Sequence, residues 1–149
     1  MNLKQKLALK IYCLFKLPII AYCRPKIKKV DDREVQLLIP LNRRTKNHFR
    51  TMYFGALSVG ADFTAGLLVM NVIKKNNSKA KLLFKSFKAD FVKRADSDVL
   101  FLCSDHKIAE AAVLENLNTG KRVNFEISVT ATNNKGEVVA NFMLTTSIR

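Results

Sequence analysis

Tryptophan is absent from this chain, and proline, glycine and cysteine are scarce at three, five and three residues. So little proline and glycine excludes collagen-like and low-complexity architectures, and the 10 phenylalanines supply bulk for an ordinary globular core. Three cysteines without a C-x-x-C spacing exclude a disulfide framework and a zinc ribbon, so a reducing compartment is the simpler expectation. Two isolated histidines, His48 and His106, offer no ligand set, and no metal is expected. Acids are also few: 12 against 26 Lys and Arg, a formal charge of +14 that calls for an anionic partner such as nucleic acid, anionic lipid or a phosphorylated small molecule. Nucleic acid is disfavoured, because the aromatics fall at alternating core positions and no base-stacking or groove-reading motif is present.

What is present fits one domain of 149 residues. The N-terminal stretch has lysines ahead of apolar residues, as in a signal peptide. Lys16 interrupts the apolar run, Pro18 follows, and "AYCRP" lacks a small-residue cleavage site, so the segment is expected to stay on the protein. Helical spacing gathers Leu3, Leu7, Ile11, Leu14 and Phe15 on one side, with Lys4 intruding, and Lys6, Lys10 and Lys16 on the other beside Leu9 and Leu17, a basic and loosely amphipathic helix. Two readings stand: an interfacial anchor on anionic membrane, or a helix packed on the domain with solvated lysines. The first would make the protein cytoplasmic and peripheral at the inner membrane face. Residues 1–30 read as this helix and a basic joint, and residues 31–149 as the domain proper.

Glu34 to Ile39 alternates as a first strand stopped near Pro40. A long core helix is expected from about Met52 to Val72, with Gly60 and Gly66 marking a face where backbone approaches something closely, as in a helix cradled by a curved sheet. "KSFKADFVK", "VLFLCS", "NFEISVTAT" and "EVVANFMLTTSI" carry strand patterns, "NNKG" a turn, and "HKIAEAAVLENLNTGK" a short helix ending near Gly120. Runs of strands rather than strict alternation with helices predict an α+β fold with an antiparallel sheet.

The stretch "KNHFRTMYFGALSVGAD" places one acid, Asp62, inside the expected core helix. A buried, unpaired carboxylate costs several kcal/mol, so this one should be paired, protonated, solvated or reacting. Asn47, five residues, Tyr53-Phe54-Gly55, six residues and Asp62 match the spacing of the phenylacetate-pathway type of acyl-CoA thioesterase, which has Asn, five residues, His-Gly-Gly, six residues and Asp. Two of the five named residues differ, at Tyr53 and Phe54. The region from about residue 34 to 149 thus resembles the hotdog superfamily, and resembles an uncharacterised branch in which an Asn-His pair and a Phe-Gly-Ala or Gly-Gly-Ala step precede the central helix.

The resemblance implies an antiparallel curved sheet wrapped around a long central helix. It also implies a homodimer or dimer of dimers, and thioester hydrolysis of acyl-CoA or acyl carrier protein without a cofactor. In that scheme Asp62 is the general base or nucleophile, facing substrate from the partner subunit. Backbone amides at Phe54 or Gly55 hold the oxyanion, Asn47 holds the carboxylate or the water, and Tyr53 replaces the family's histidine. The basic run Arg43, Arg44, Lys46 and Arg50 would meet the phosphates of coenzyme A or an acidic carrier surface. Against these stand simpler roles: Asp62 satisfied by a loop amide or a dimer contact, Asn47 capping a turn, the basic run a solvated loop, Cys103 a buried inert thiol. A module that binds acyl-CoA or fatty acid without hydrolysis is the competing function.

Overall fold

The computed structural model describes residues 3–149. Two N-terminal helices, α1 (Leu3–Lys16) and α2 (Pro18–Cys23), precede strands β1 (Lys26–Val30) and β2 (Val35–Ile39). The long helix α3 (Phe54–Lys75) leads to β3 (Leu82–Phe91) and β4 (Val99–Cys103), then α4 (His106–Thr119), β5 (Val123–Thr132) and β6 (Val138–Ile148). All pairings are antiparallel, in the spatial order β1-β2-β4-β5-β6-β3. This is the α+β hotdog arrangement, a six-stranded sheet curled around α3. Register shifts near Lys85 in β3 and at Ala131/Thr132 of β5 give it bulges, which bend strands and deepen local twist.

The core lies between α3 and the inner face of the sheet. Alternating residues Val35, Leu37 and Ile39 of β2, Val99, Phe101 and Cys103 of β4, and Ile127, Val129 and Ala131 of β5 are fully buried or nearly so, as a strand periodicity of two requires. The expected close approach of α3 is real at Gly60, where a Cβ would stand 2.3 Å from the Phe101 ring. Phe101 fills the space that a side chain there would occupy. At Gly66 the nearest atom to such a Cβ is Phe84 Cε2 at 3.9 Å, an ordinary contact. Thr64 keeps its buried hydroxyl satisfied by donating to the Gly60 carbonyl at 2.6 Å.

Three local forecasts hold for stated reasons. Gly120 closes α4 in the left-handed region (φ 65°), its N–H reaching the Asn116 carbonyl at 2.8 Å. Asn133 accepts hydrogen bonds from the Lys135 and Glu137 amides, and Gly136 supplies the positive φ of the β5–β6 turn. β2 stops at Ile39, before Pro40.

The basic joint expected around residues 24–33 is corrected: Lys26–Val30 forms β1, an edge strand paired with β2. Its exposed lysines masked a strand that needs only one half-buried face, through Ile27 and Val30. The helix before it is broken as well. Pro18 has no N–H and crowds the preceding residue, so Leu17 leaves the helical region (φ −135°, ψ 62°) and α2 restarts beyond it.

Candidate active site

The loop between β2 and α3 is built from side chains that replace missing backbone partners. Buried Thr45 donates to the Pro40 carbonyl at 2.6 Å and accepts the Asn42 amide at 3.0 Å. Lys46 and Met52 form an isolated antiparallel bridge that closes residues 47–51 into a tight turn. Inside it the Asn47 Oδ1 accepts from the amides of Phe49 (2.9 Å) and Thr51 (3.2 Å), and its Nδ2 donates to Thr51 Oγ1 at 3.1 Å. Asn47 is therefore occupied by its own turn, the simpler of its two roles, and it makes no contact with Asp62. Arg50 sits at φ 63° in that turn, and Phe49 projects from its tip against the His48 ring, 3.9 Å between centroids.

Two long-range bonds then fix where α3 begins. The Met52 N–H donates to Ala95 O and the Tyr53 N–H to Thr45 O, each at 2.7 Å. Tyr53 is the N-cap residue, extended at φ −64° and ψ 137°, and its carbonyl accepts from Ala56 and Leu57. The amides of Phe54 and Gly55 have no acceptor among the described residues, which is the usual state of a helix's first turn. They are donors free for an anion, with the positive end of the helix dipole behind them. Gly55 is demanded here by Tyr53: a Cβ would lie 2.6 Å from Tyr53 Cε1. The Tyr53 ring also lies against Phe54, 4.7 Å between centroids.

Tyr53 and Phe54 form one wall of an open groove of about 620 Å³, with Asn47, Phe49, Met52 and Leu57 on the same side. Phe91, Val92, Lys93, Arg94 and Ala95 form the other wall. Phe54 approaches Phe91 edge-on, at 6.4 Å. The groove is thus largely apolar and aromatic, with basic residues at its rim. Its basic residues are Lys93, ion-paired to Glu137, and Arg94, which has no ion pair among the described residues. Arg43, Arg44, Lys46 and Arg50 lie outside the groove lining. Arg44 stacks on the Tyr22 ring of α2, 5.2 Å from its centroid. The "VKRA" segment escaped sequence reading because its charges follow a strand and resemble ordinary strand-end solubilisation.

Asp62 is half-buried on α3, and burial raises its carboxyl above the usual carboxylate range. It has no hydrogen-bond or ion-pair partner among the described residues, so the loop amide envisaged for it is not there. One helical turn further on, Gly66 faces Phe84 of β3. Residues four apart share a helix face, so Asp62 lies on the side of α3 that looks toward β3. β3 is bonded to β6 on one edge only; its other edge is open, with Leu83, Phe87 and Phe91 exposed along the strand. At 1.5 Å rise per residue, Asp62 lies roughly 12 Å along the axis from Phe54. The carboxylate and the free amides of one chain cannot reach the same reacting atom.

Cys103 is fully buried, and desolvation pushes its thiol up to about 12, which leaves it inert at neutral pH. His48 lies at the turn tip, whereas His106 opens α4 with a ring nitrogen near Ser104 O. Among the described residues no group of His, Cys, Asp and Glu could hold a metal ion.

A family profile described as a domain of unknown function, DUF4442, matches residues 5–148. No curated protein matches the chain in sequence. Solved structures do match in shape. A Shewanella oneidensis protein described as a "putative thioesterase" superposes with a TM-score of 0.81 at 15% identity, covering 94% of each chain. A Chlorobaculum tepidum protein of unknown function gives 0.83 at 15% identity, covering 95% of this chain and 91% of that one. A thioesterase from Haemophilus influenzae gives 0.69 at 11% identity, covering 95% and 87%.

Proposed function

Starting from the fact that the chain belongs to the DUF4442 family, we propose that it hydrolyses an acyl thioester, of coenzyme A or acyl carrier protein, as a homodimer or dimer of dimers. The observation that carries the proposal is Asp62: half-buried, without a partner among the described residues, raised by burial, and on the side of α3 that looks toward β3, whose outer edge is open. Likeness in fold to proteins described as thioesterases supports the same reading.

Pairing two β3 edges antiparallel would remove the exposed edge and run the α3 helices of two copies side by side. The start of one α3 then approaches the middle of the other. That answers the 12 Å problem, because the amides of Phe54 and Gly55 from one copy and Asp62 from its partner can address one carbonyl. Asp62 as general base takes a proton from water, which attacks the thioester carbon; negative charge on the carbonyl oxygen falls to the helix-start amides. Collapse of the adduct breaks the C–S bond, and the departing thiolate takes up the proton. A carboxyl raised by burial is a stronger base than one in water. The aromatic groove holds the acyl chain or the pantetheine arm, while Arg94 at its rim meets phosphates.

A second reading is binding without turnover. Asn47 is already spent on its turn, and the Phe54 and Tyr53 rings crowd the helix start where the phenylacetate-pathway type that the motif resembles has glycine and histidine. The test is hydrolysis of short, medium and long acyl-CoAs by the protein and by its Asp62→Asn variant. Turnover that falls at least about 100-fold in a folded variant supports the base. Acyl-CoA binding without turnover by either protein establishes the second reading.

A further inference from the structure

The N-terminal helix turns its apolar side away from the body of the protein. Leu7, Ile11, Leu14 and Phe15 are 57%, 50%, 61% and 77% exposed, whereas Cys13 is buried. At 100° per residue those four span an arc of about 100°, roughly opposite Cys13. Packing against the domain is made by Cys13 and the half-buried Leu9 of α1 and by Ile20 and Cys23 of α2, which leaves Leu7, Ile11, Leu14 and Phe15 facing outward. Ile19 of α2 adds a further exposed side chain at 65%.

Charge indicates what covers this face. Residues 1–30 contain eight Lys and Arg and no Asp or Glu, so this fifth of the sequence carries more than half of the net +14. A second copy apposed through the same face would bring two such segments together without an acid to offset them. A lipid surface of negative charge offers both things the face needs, an apolar layer and phosphates beside it. We propose that the α1–α2 pair is an interfacial anchor that seats the protein on anionic membrane, with Leu7, Ile11, Leu14 and Phe15 at the acyl boundary and the neighbouring lysines at the phosphates.

The test uses the full-length protein in vesicle sedimentation, with vesicles containing phosphatidylglycerol and vesicles of phosphatidylcholine alone. Its readout requires no catalytic activity, so it stands or falls apart from the proposed hydrolysis. The protein should pellet with the anionic vesicles and be released by raised salt. The Leu14→Ser/Phe15→Ser variant should bind at least about tenfold more weakly, because those apolar groups supply much of the partitioning. Both side chains are exposed, so the variant should keep its circular dichroism and its elution volume. A Lys4→Gln/Lys16→Gln variant should also bind more weakly and with less salt sensitivity. Failure of the parent to bind, or equal binding by the serine variant, overturns the proposal. So does a serine variant whose oligomeric state changes without lipid, which would assign the face to a second copy.

Discussion

Helices α3 and α1 are both rich in apolar residues, and the fold uses them in opposite ways. α3 is long and apolar enough to cross a membrane by length and composition, yet it is mostly buried inside the sheet. α1 is shorter and carries lysines, yet its Leu7, Leu14 and Phe15 face outward. The difference lies in side-chain size and placement rather than in total hydrophobicity. α3 spends Gly60, Ala61 and Ala65 on its buried face, so strands can close around it. Among its described residues α1 has no small-residue face of that kind, and Cys13 and the half-buried Leu9 turn inward.

Breaking that close fit should give the largest effects on stability. Phe101→Ala, in the space that Gly60 leaves open, should cost about 3–5 kcal/mol in urea denaturation. Gly60→Ala should cost about 1–3 kcal/mol, because its new methyl group meets the Phe101 ring. The double variant should cost less than the sum, since the methyl enters the vacated space. Full additivity would show that the two positions do not share that space. Gly66→Ala, with nothing nearer than 3.9 Å, should instead gain about 0.5–1 kcal/mol from reduced unfolded-state freedom.

On α1 the same measurement should read almost nothing. Leu14→Ser/Phe15→Ser should change stability by less than about 0.5 kcal/mol in the absence of lipid. A loss of several kcal/mol would mean that this face packs against protein.

A pH-dependent effect concerns Asp62. Burial raises its carboxyl, so the folded chain holds the proton more tightly than the unfolded chain does. Its stabilising contribution is present below the unfolded carboxyl range and is lost as pH rises through the raised folded value. Asp62→Asn should therefore be more stable than the parent near neutrality and should lose that advantage in acid. Melting temperatures across pH would check the sign. A variant less stable than the parent at neutral pH would mean that the carboxylate has a favourable partner.

The parts of the fold that sequence made legible are those where one periodicity or one special residue decides the local structure. Val35 to Ile39 and Val123 to Thr132 alternate cleanly, and Gly120 ends α4. β1 was hidden because an edge strand with one half-buried face needs little apolar alternation. In the loop, the spacing from Asn47 to Asp62 located the turn, the helix start and the acid. It did not locate the second groove wall, since Phe91 to Ala95 arrives from a distant segment through the Met52–Ala95 bond. The side of α1 that faces the body was equally hidden, because packing through Leu9, Cys13, Ile20 and Cys23 decides it.

The central claim is that an acid from one copy and helix-start amides from another share one thioester. Phe54→Pro tests it cleanly: proline at the first position of α3 deletes one amide that has no acceptor, and Tyr53 already holds the extended conformation that precedes proline. Phe54→Ala controls for the lost ring. Acyl-CoA hydrolysis should fall about 100-fold in Phe54→Pro and at least as far in Asp62→Asn. Refolding the two variants together should restore about a quarter of parent activity, since half the dimers are hybrids with one intact site in two. A co-refolded mixture no more active than its components, beside an active parent, would contradict the shared site.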